Sequence, residues 1–283
     1  MDVVVLAAVL GSALLHAAWN ALLKREREPV AAAAGVFAVA GSAALVAALV
    51  ENRWFPEARA LVWSVGAGVF EAGYILSLSR ALTLAPLGPV YTVSRGGALV
   101  GVWPISIVFL GERATALGLT GAAVVLGGLV LTGVGQDRTA GRTDPRGLLW
   151  AVLTACNITG YHICYKEALA DGGAAAAVFA VSIGTAIPIN LQRIGAAGRR
   201  SLTAALRAKP VPIIVIGLLC CASFLIFLIG LARAGAGAVL TLRNTSVLFA
   251  QVLALALGER PTRVRLAGAL AVAAGAVLLG WPT

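Results

Sequence analysis

The chain has 283 residues, of which 60% are hydrophobic and only 12% are charged, and its mean hydropathy is +0.93. A soluble protein of this length needs about 25% charged residues to cover its surface, so the composition excludes a soluble globular domain. The net charge of +10 does not indicate a nucleic-acid partner, because the basic residues lie in short segments between apolar runs.

The apolar runs have the length of membrane-spanning helices. Such a helix needs roughly 20 mostly apolar residues, and helix is the expected conformation because lipid cannot satisfy open backbone groups. In chain order we place ten spans near 3–23, 30–50, 60–82, 86–110, 115–134, 147–168, 174–194, 210–232, 236–257 and 262–281. A polar linker, 135–146, separates the first five spans from the second five.

The two halves of the chain resemble each other in sequence. Residues 110–133 and 257–280 both begin with Leu-Gly-Glu-Arg and align without a gap. Beyond this start, three further glycines coincide in the alignment: Gly121, Gly128 and Gly133 meet Gly268, Gly275 and Gly280. Spans one and six also end alike: an aromatic residue is followed directly by a polar residue, and a lysine lies five positions after the aromatic one. These residues are Trp19, Asn20 and Lys24 in span one, and Tyr161, His162 and Lys166 in span six.

Each half has an odd number of spans, so the second half is inverted relative to the first. We therefore predict an all-α integral membrane protein with ten transmembrane helices as two inverted five-helix repeats, 1–134 and 147–283. Inverted repeats are typical of carriers that bind substrate between the halves, near the bilayer midplane. The registered glycines recur every seven residues and predict close helix packing.

These paired motifs resemble the EamA family of the drug/metabolite transporter (DMT) superfamily. The resemblance covers nearly the whole chain and implies a ten-helix basket with a central cavity lined by spans one, three, four, six, eight and nine. It implies transport of amino acids or similar metabolites, often as export, by a secondary carrier.

The resemblance and the charge distribution disagree about membrane orientation. Family members usually place both termini in the cytoplasm. Here, loops after odd-numbered spans hold most of the lysines and arginines, which places both termini outside by the positive-inside rule. The orientation that we expect is termini outside.

Span one carries three polar or aromatic candidates for substrate binding. His16 and Asn20 are four residues apart and share a helix face, with Trp19 beside them. A neutral histidine can bind substrate or shuttle protons, or it can hydrogen-bond a neighbouring helix. Tyr161 on span six and Tyr91 on span four are further candidates for substrate binding.

Glu71 lies in the middle of span three, where an ionisable residue is costly and faces the protein interior. Two interpretations remain open. Glu71 either loads and releases a proton that couples transport to the proton gradient, or forms a fixed ion pair with Arg95 or Arg80.

Two arginines lie inside spans: Arg95 in span four, after Tyr91, and Arg243 in span nine. Inverted symmetry would bring them to one cavity from opposite sides. A guanidinium binds a carboxylate or phosphate through two parallel hydrogen bonds, so these residues are candidates to hold an anionic substrate group. The alternative is structural, with each arginine capping helix carbonyls or pairing with an internal acid.

Other polar residues predict structure instead of chemistry. Lys24 and Lys166 end their spans and are expected to extend to the lipid headgroups, and Glu112 with Arg113 is expected to form a turn or cap. Pro104 should kink span four beyond Arg95. The four cysteines form no metal-binding pattern, and we expect no metal, no cofactor and small buried thiols.

The sequence therefore predicts a multi-pass transporter of a bacterial cytoplasmic membrane, with a small polar metabolite and the lipid bilayer as partners. No nucleotide-binding loop is present, so a secondary carrier is expected. A flippase for a lipid-linked group is the main alternative. An intramembrane enzyme is disfavoured, because the two histidines lie on different halves and no zinc motif occurs.

Overall fold

The computed structural model describes residues 2–26, 29–134, 144–208, 210–256 and 262–280. Within these ranges every regular element is helical and there is no strand. The elements are α1 (Val3–Lys24), α2 (Pro29–Glu51), α3 (Ala58–Leu84), α4 (Leu87–Tyr91), a π-helical segment (Thr92–Gly96), α5 (Gly97–Val108), α6 (Ala116–Val134), α7 (Pro145–Ala170), α8 (Ala175–Ala208), α9 (Pro210–Arg233), α10 (Ala236–Arg243), α11 (Ser246–Ala256) and α12 (Arg263–Gly280).

Helix starts follow local capping chemistry in both halves. The side chain of Asp2 accepts a hydrogen bond from the Val4 N–H group at the start of α1. Asp144 does the same for Arg146 at the start of α7, where Pro145 occupies the first helical position. Both residues satisfy backbone donors that the helix itself leaves free.

Eight stretches among the described residues are long and apolar enough to cross a membrane. They include Val3–Leu23 at the beginning and Ala236–Leu253 near the end. The count of ten spans is thus not confirmed, and the clearest difference is the span expected at 86–110, which is divided into α4, the π-helical segment and α5. Apolar side chains such as Val62 and Leu270 are exposed along the spans, as a surface in contact with lipid requires.

The helix pairings form a pattern that relates the first and second parts of the chain. The extensive pairings include α1 with α9, α3 with α7, α2 with α8 and α6 with α12. If α1 is exchanged for its counterpart α7, and α9 for its counterpart α3, the α1–α9 pair becomes the α3–α7 pair. Exchanging α2 with α8, or α6 with α12, leaves those two pairs unchanged. The division at the linker is a proposal that this pattern supports; the linker itself lies almost wholly outside the described residues.

The helices α6 and α12 cross at the glycines that the alignment singled out. A methyl group built on Gly121 would lie 2.7 Å from the backbone oxygen of Gly275, and one on Gly128 would lie 2.6 Å from that of Gly268. The pairing order shows that the two helices are antiparallel, as inverted counterparts must be. The expectation of close packing at these glycines is confirmed.

Candidate functional site

Both intramembrane arginines lie where a helix is interrupted. Arg95 belongs to the π-helical segment between α4 and α5, and Arg243 is the last residue of α10. The expected kink at Pro104 is therefore not the main distortion of this region, since Pro104 lies inside α5 and the helix departs from α geometry at Thr92–Gly96. Such π-helical turns are frequent at functional sites.

The guanidinium of Arg243 is buried among groups that stabilise a cation. Its Nη1 atom donates to the Ser12 hydroxyl at 2.7 Å, and its Cζ atom lies 4.1 Å from the Phe227 ring centre and 4.7 Å from that of Phe224. Ser12 is itself fixed, because its hydroxyl donates to the backbone oxygen of Ser223 at 2.8 Å. Cation–π contacts of this kind are worth about 2 kcal/mol when desolvated, less than the several kcal/mol that burying a charge costs.

His16 lies between the two arginines. Nη2 of Arg95 is 3.2 Å from its Nε2 atom, and Nη2 of Arg243 is 3.5 Å from its Nδ1 atom. The structure thus brings Arg95 from the first half and Arg243 from the second half to opposite edges of one imidazole ring on α1. No carboxylate of the described residues lies within 4.0 Å of either guanidinium.

A neutral His16 ring can accept a hydrogen bond from only one of the two arginines. A guanidinium only donates hydrogen bonds, and a neutral imidazole has a single acceptor nitrogen. With that lone pair on Nε2, the shorter contact is a hydrogen bond and the Nδ1–H group faces the Nη2 donor of Arg243. Two donors that face each other beside two positive charges are well suited to hold an anionic oxygen.

The remaining predicted site residues lie at varying distances from this arginine pair. Trp19 packs edge-on to His16 with ring centres 5.2 Å apart, and its buried Nε1 atom has no partner among the described residues. Asn20 is turned to its own helix, where its Nδ2 atom donates to the His16 carbonyl at 2.7 Å. The Cζ atom of Arg95 lies 6.0 Å from the Tyr91 ring centre. Tyr161 stacks on His162 with ring centres 4.5 Å apart.

Glu71 is buried but forms no ion pair with a described lysine or arginine. Its Oε1 atom accepts a hydrogen bond from the Tyr165 hydroxyl at 2.6 Å, and its Oε2 atom accepts one from Ser182 at 3.1 Å. The two hydroxyl oxygens are 2.9 Å apart, which closes a triangle between α3, α7 and α8. The fixed ion pair with Arg95 or Arg80 is therefore not found among the described residues.

The comparisons with known proteins relate the second half of the chain to a known family. The model of the EamA-like transporter family matches residues 145–281. Residues 145–281 are therefore similar to the EamA-like transporter family. That family lies in the DMT superfamily, so the match supports a membrane transporter of the DMT type and argues against an enzyme.

The overall shape resembles that of a solved structure. A crystal structure is similar over 97% of this chain and 94% of its own, with a TM-score of 0.69 and 20% sequence identity. At that identity the likeness shows the fold alone. No curated protein matches.

A second polar contact joins the EamA-matching half to the first half. The Nζ atom of Lys166 donates to the backbone oxygens of Leu231 at 3.0 Å and Ala234 at 2.8 Å, and lies 3.8 Å from the Glu112 carboxylate. Glu112 also accepts from the Ala236 N–H group at 2.8 Å. Extension of Lys166 to the headgroups is therefore wrong, whereas the capping role of Glu112 is confirmed; the equivalent Glu259 lies outside the described residues.

Sequence reasoning missed the residues that orient the site. Ser12, Ser182, Phe224 and Phe227 are small or apolar residues of a kind found throughout the spans. Only Ser12 had a usable signal, since it precedes His16 by four residues and so shares its helix face. The cysteines were predicted to be buried, and Cys156 is exposed; no cluster of metal-binding side chains is found within the described ranges.

Proposed function

We propose that the protein is a secondary active carrier for a small metabolite bearing a carboxylate, of the amino-acid or organic-anion class. Arg95 and Arg243 bind the carboxylate from the two halves, and His16 fixes their separation. The observation that carries the proposal is the convergence of two guanidiniums on one imidazole with no acidic partner among the described residues. Export is the direction that the family resemblance implies.

Alternating access is the mechanism that we propose for this arrangement. A site built from both halves is closed on one side when the halves approach there, and opens when they separate. An anion between Arg95 and Arg243 would reduce the repulsion between them, so substrate binding and approach of the halves would reinforce each other. The Lys166–Glu112 contact is one place where the halves already touch.

We further propose that Glu71 carries the coupling proton. Its carboxyl group is shielded from solvent and bonded to hydroxyl groups that can each donate or accept. Tyr165 connects it to the aromatic residues beside the arginine site, since the Tyr165 and Tyr161 ring centres are 5.9 Å apart.

Flux in proteoliposomes tests the substrate class. A panel of labelled amino acids and organic anions would be measured with and without a pH gradient for wild type, Arg95→Gln and Arg243→Gln. Loss of one charge-assisted hydrogen-bond pair costs about 1.5–3 kcal/mol, so each variant should lower the apparent affinity by roughly 10- to 100-fold. Arg233→Gln is the matched control, because Arg233 is exposed at the end of α9.

Analogues without a carboxylate test whether that group is required for transport. The methyl ester of a transported acid lacks the carboxylate, so it should neither be transported nor compete. Flux that persists in both arginine variants, when they are folded, would contradict the assigned site. Absence of flux for every compound in the wild type would favour the flippase alternative.

A further inference from the structure

A basic surface helix follows the seventh predicted span. The part of α8 able to cross the membrane ends at Arg193, and Gly195 then leaves helical geometry with φ 65° and ψ −166°. Positive φ is readily adopted only by glycine, so the residue type permits a sharp change of direction. The residues from Ala196 to Ala208 form a second helical piece before the next span begins at Pro210.

This second piece is amphipathic. Arg199, Thr203 and Arg207 are spaced by four residues and share one face, with Arg200 beside them. All four are exposed, and they line a hollow of about 440 Å³ together with two alanines. Leu206, on another side of the helix, packs against the hydrophobic core. The arginine face is therefore turned away from the protein interior.

The positive charge of this face is not balanced by the surrounding chain. No aspartate or glutamate occurs between Gly172 and Gly258, a stretch that includes the whole helix. Arg199 donates to the Leu191 carbonyl at 3.4 Å, where the spanning part of α8 ends. Neither Arg200 nor Arg207 pairs with an acidic residue in the part of the chain that the structure describes.

The first half has no such helix. There the equivalent connection runs only from the end of α2 at Glu51 to the start of α3 at Ala58. The surface helix is thus not required for a five-helix repeat to fold, and its charge calls for a partner outside the chain.

We propose that the arginine face of α8 binds the phosphate groups of anionic phospholipids in the adjacent leaflet. The spans on either side hold this helix at the height of the headgroups, and a guanidinium binds a phosphate through two hydrogen bonds. Each basic residue near an anionic surface strengthens binding about fivefold. Three arginines on one face therefore favour anionic over zwitterionic lipid by roughly a hundredfold.

Thermal unfolding of the purified full-length protein in a neutral detergent tests this proposal. Phosphatidylglycerol or phosphatidylcholine would be titrated into the wild type and into the triple variant Arg199→Gln/Arg200→Gln/Arg207→Gln. In the wild type, phosphatidylglycerol should raise the unfolding temperature at a far lower concentration than phosphatidylcholine. The triple variant should lose that preference, and high salt should weaken it in the wild type.

Two control proteins separate charge from folding. The triple Arg→Lys variant keeps the charge and should keep most of the preference for phosphatidylglycerol. The variant Arg53→Gln/Arg233→Gln removes exposed arginines from the other set of loops and should behave as the wild type. An equal response of the wild type to both lipids, an unchanged preference in the triple Gln variant, or the same stabilisation by inorganic phosphate would overturn the proposal.

Discussion

The carboxyl group of Glu71 keeps its hydrogen bonds in either protonation state, because Tyr165 and Ser182 contribute hydroxyl groups that rotate. When the group is ionised, both hydroxyls donate to it. When it is protonated, it can donate to Ser182, which donates to Tyr165, which donates back to Glu71 and closes the triangle. A proton can therefore enter or leave without an unsatisfied buried group being created.

We predict that Glu71→Gln uncouples transport from the proton gradient. Glutamine retains a donor and an acceptor at this position but cannot lose a proton, so accumulation driven by a pH gradient should be abolished. Exchange of labelled for unlabelled substrate at equal pH should persist, because the arginine site is unchanged. Both rates can be measured in the same proteoliposomes, with Glu51→Gln as a control at an exposed position.

Wild-type accumulation in Glu71→Gln would contradict the coupling role, and loss of exchange as well would indicate a structural role instead. The variant Tyr165→Phe removes one corner of the triangle and should lower the free energy of unfolding by about 1–3 kcal/mol. Tyr165→Phe weakens the same triangle but leaves the Glu71 carboxyl group in place, so comparing it with Glu71→Gln separates an effect on stability from the loss of a titratable proton.

The charged members of the site could be recognised in the sequence because an ionisable residue inside a span is costly and therefore informative. On this ground the sequence singles out Arg95, Arg243 and Glu71 as candidates. The contacts that position them could not be found, since Ser12 and Ser182 look like any small polar residue in a span. Whether Glu71 pairs with arginine or with hydroxyl groups depends on helix rotation and depth, which a hydropathy pattern does not specify.

At the level of whole helices, α6 and α12 depend on backbone contact between glycines. We predict that Gly128→Ala destabilises the protein by about 1–3 kcal/mol, because the added methyl group would lie 2.6 Å from the Gly268 backbone oxygen. Its neighbour Gly127 is a matched control, since a methyl group there would meet nothing within 4 Å. Thermal unfolding in detergent should show a clear decrease for Gly128→Ala only.

Equal stability of Gly128→Ala and Gly127→Ala would contradict the prediction, because it would show that α6 and α12 can move apart to accommodate the methyl group without loss of stability. The stabilising effect of alanine on helix propensity, up to about 1 kcal/mol, is common to both variants and cancels in the comparison. Gly121→Ala should resemble Gly128→Ala, because its methyl group would lie 2.7 Å from the Gly275 oxygen.

Helix interruptions were harder to predict than helix packing. The glycine spacing was visible as a repeated pattern, whereas the π-helical turn at Thr92–Gly96 has no residue signature comparable to Pro104. Its position follows from tertiary contacts, such as the Thr92 hydroxyl donating to the Leu129 carbonyl of α6 at 3.2 Å. Arg95 lies in this turn and reaches His16 from it.

For the whole molecule, the antiparallel pairing of α6 with α12 and the exchangeable packing of the other helices support an inverted pair of repeats. The contacts of Lys166 with Glu112 and of Arg243 with Ser12 then join opposite halves. The two halves are therefore held together by polar contacts as well as by apolar packing, and the proposed change of access would have to alter these contacts.

Membrane orientation is a property of the whole chain, and we predict that both termini face outward. The basic surface helix of α8 and the loop after α1 lie after odd-numbered spans, on the side that the positive-inside rule assigns to the cytoplasm. A reporter active only outside the cytoplasm, fused after Thr283, should be active, and a fusion after Arg207 should be inactive. Replacing Arg199, Arg200 and Arg207 with glutamine should increase the fraction of molecules with the opposite orientation. An inactive C-terminal fusion would instead establish the cytoplasmic termini that the family resemblance implies, and would place the arginine face of α8 against the outer leaflet.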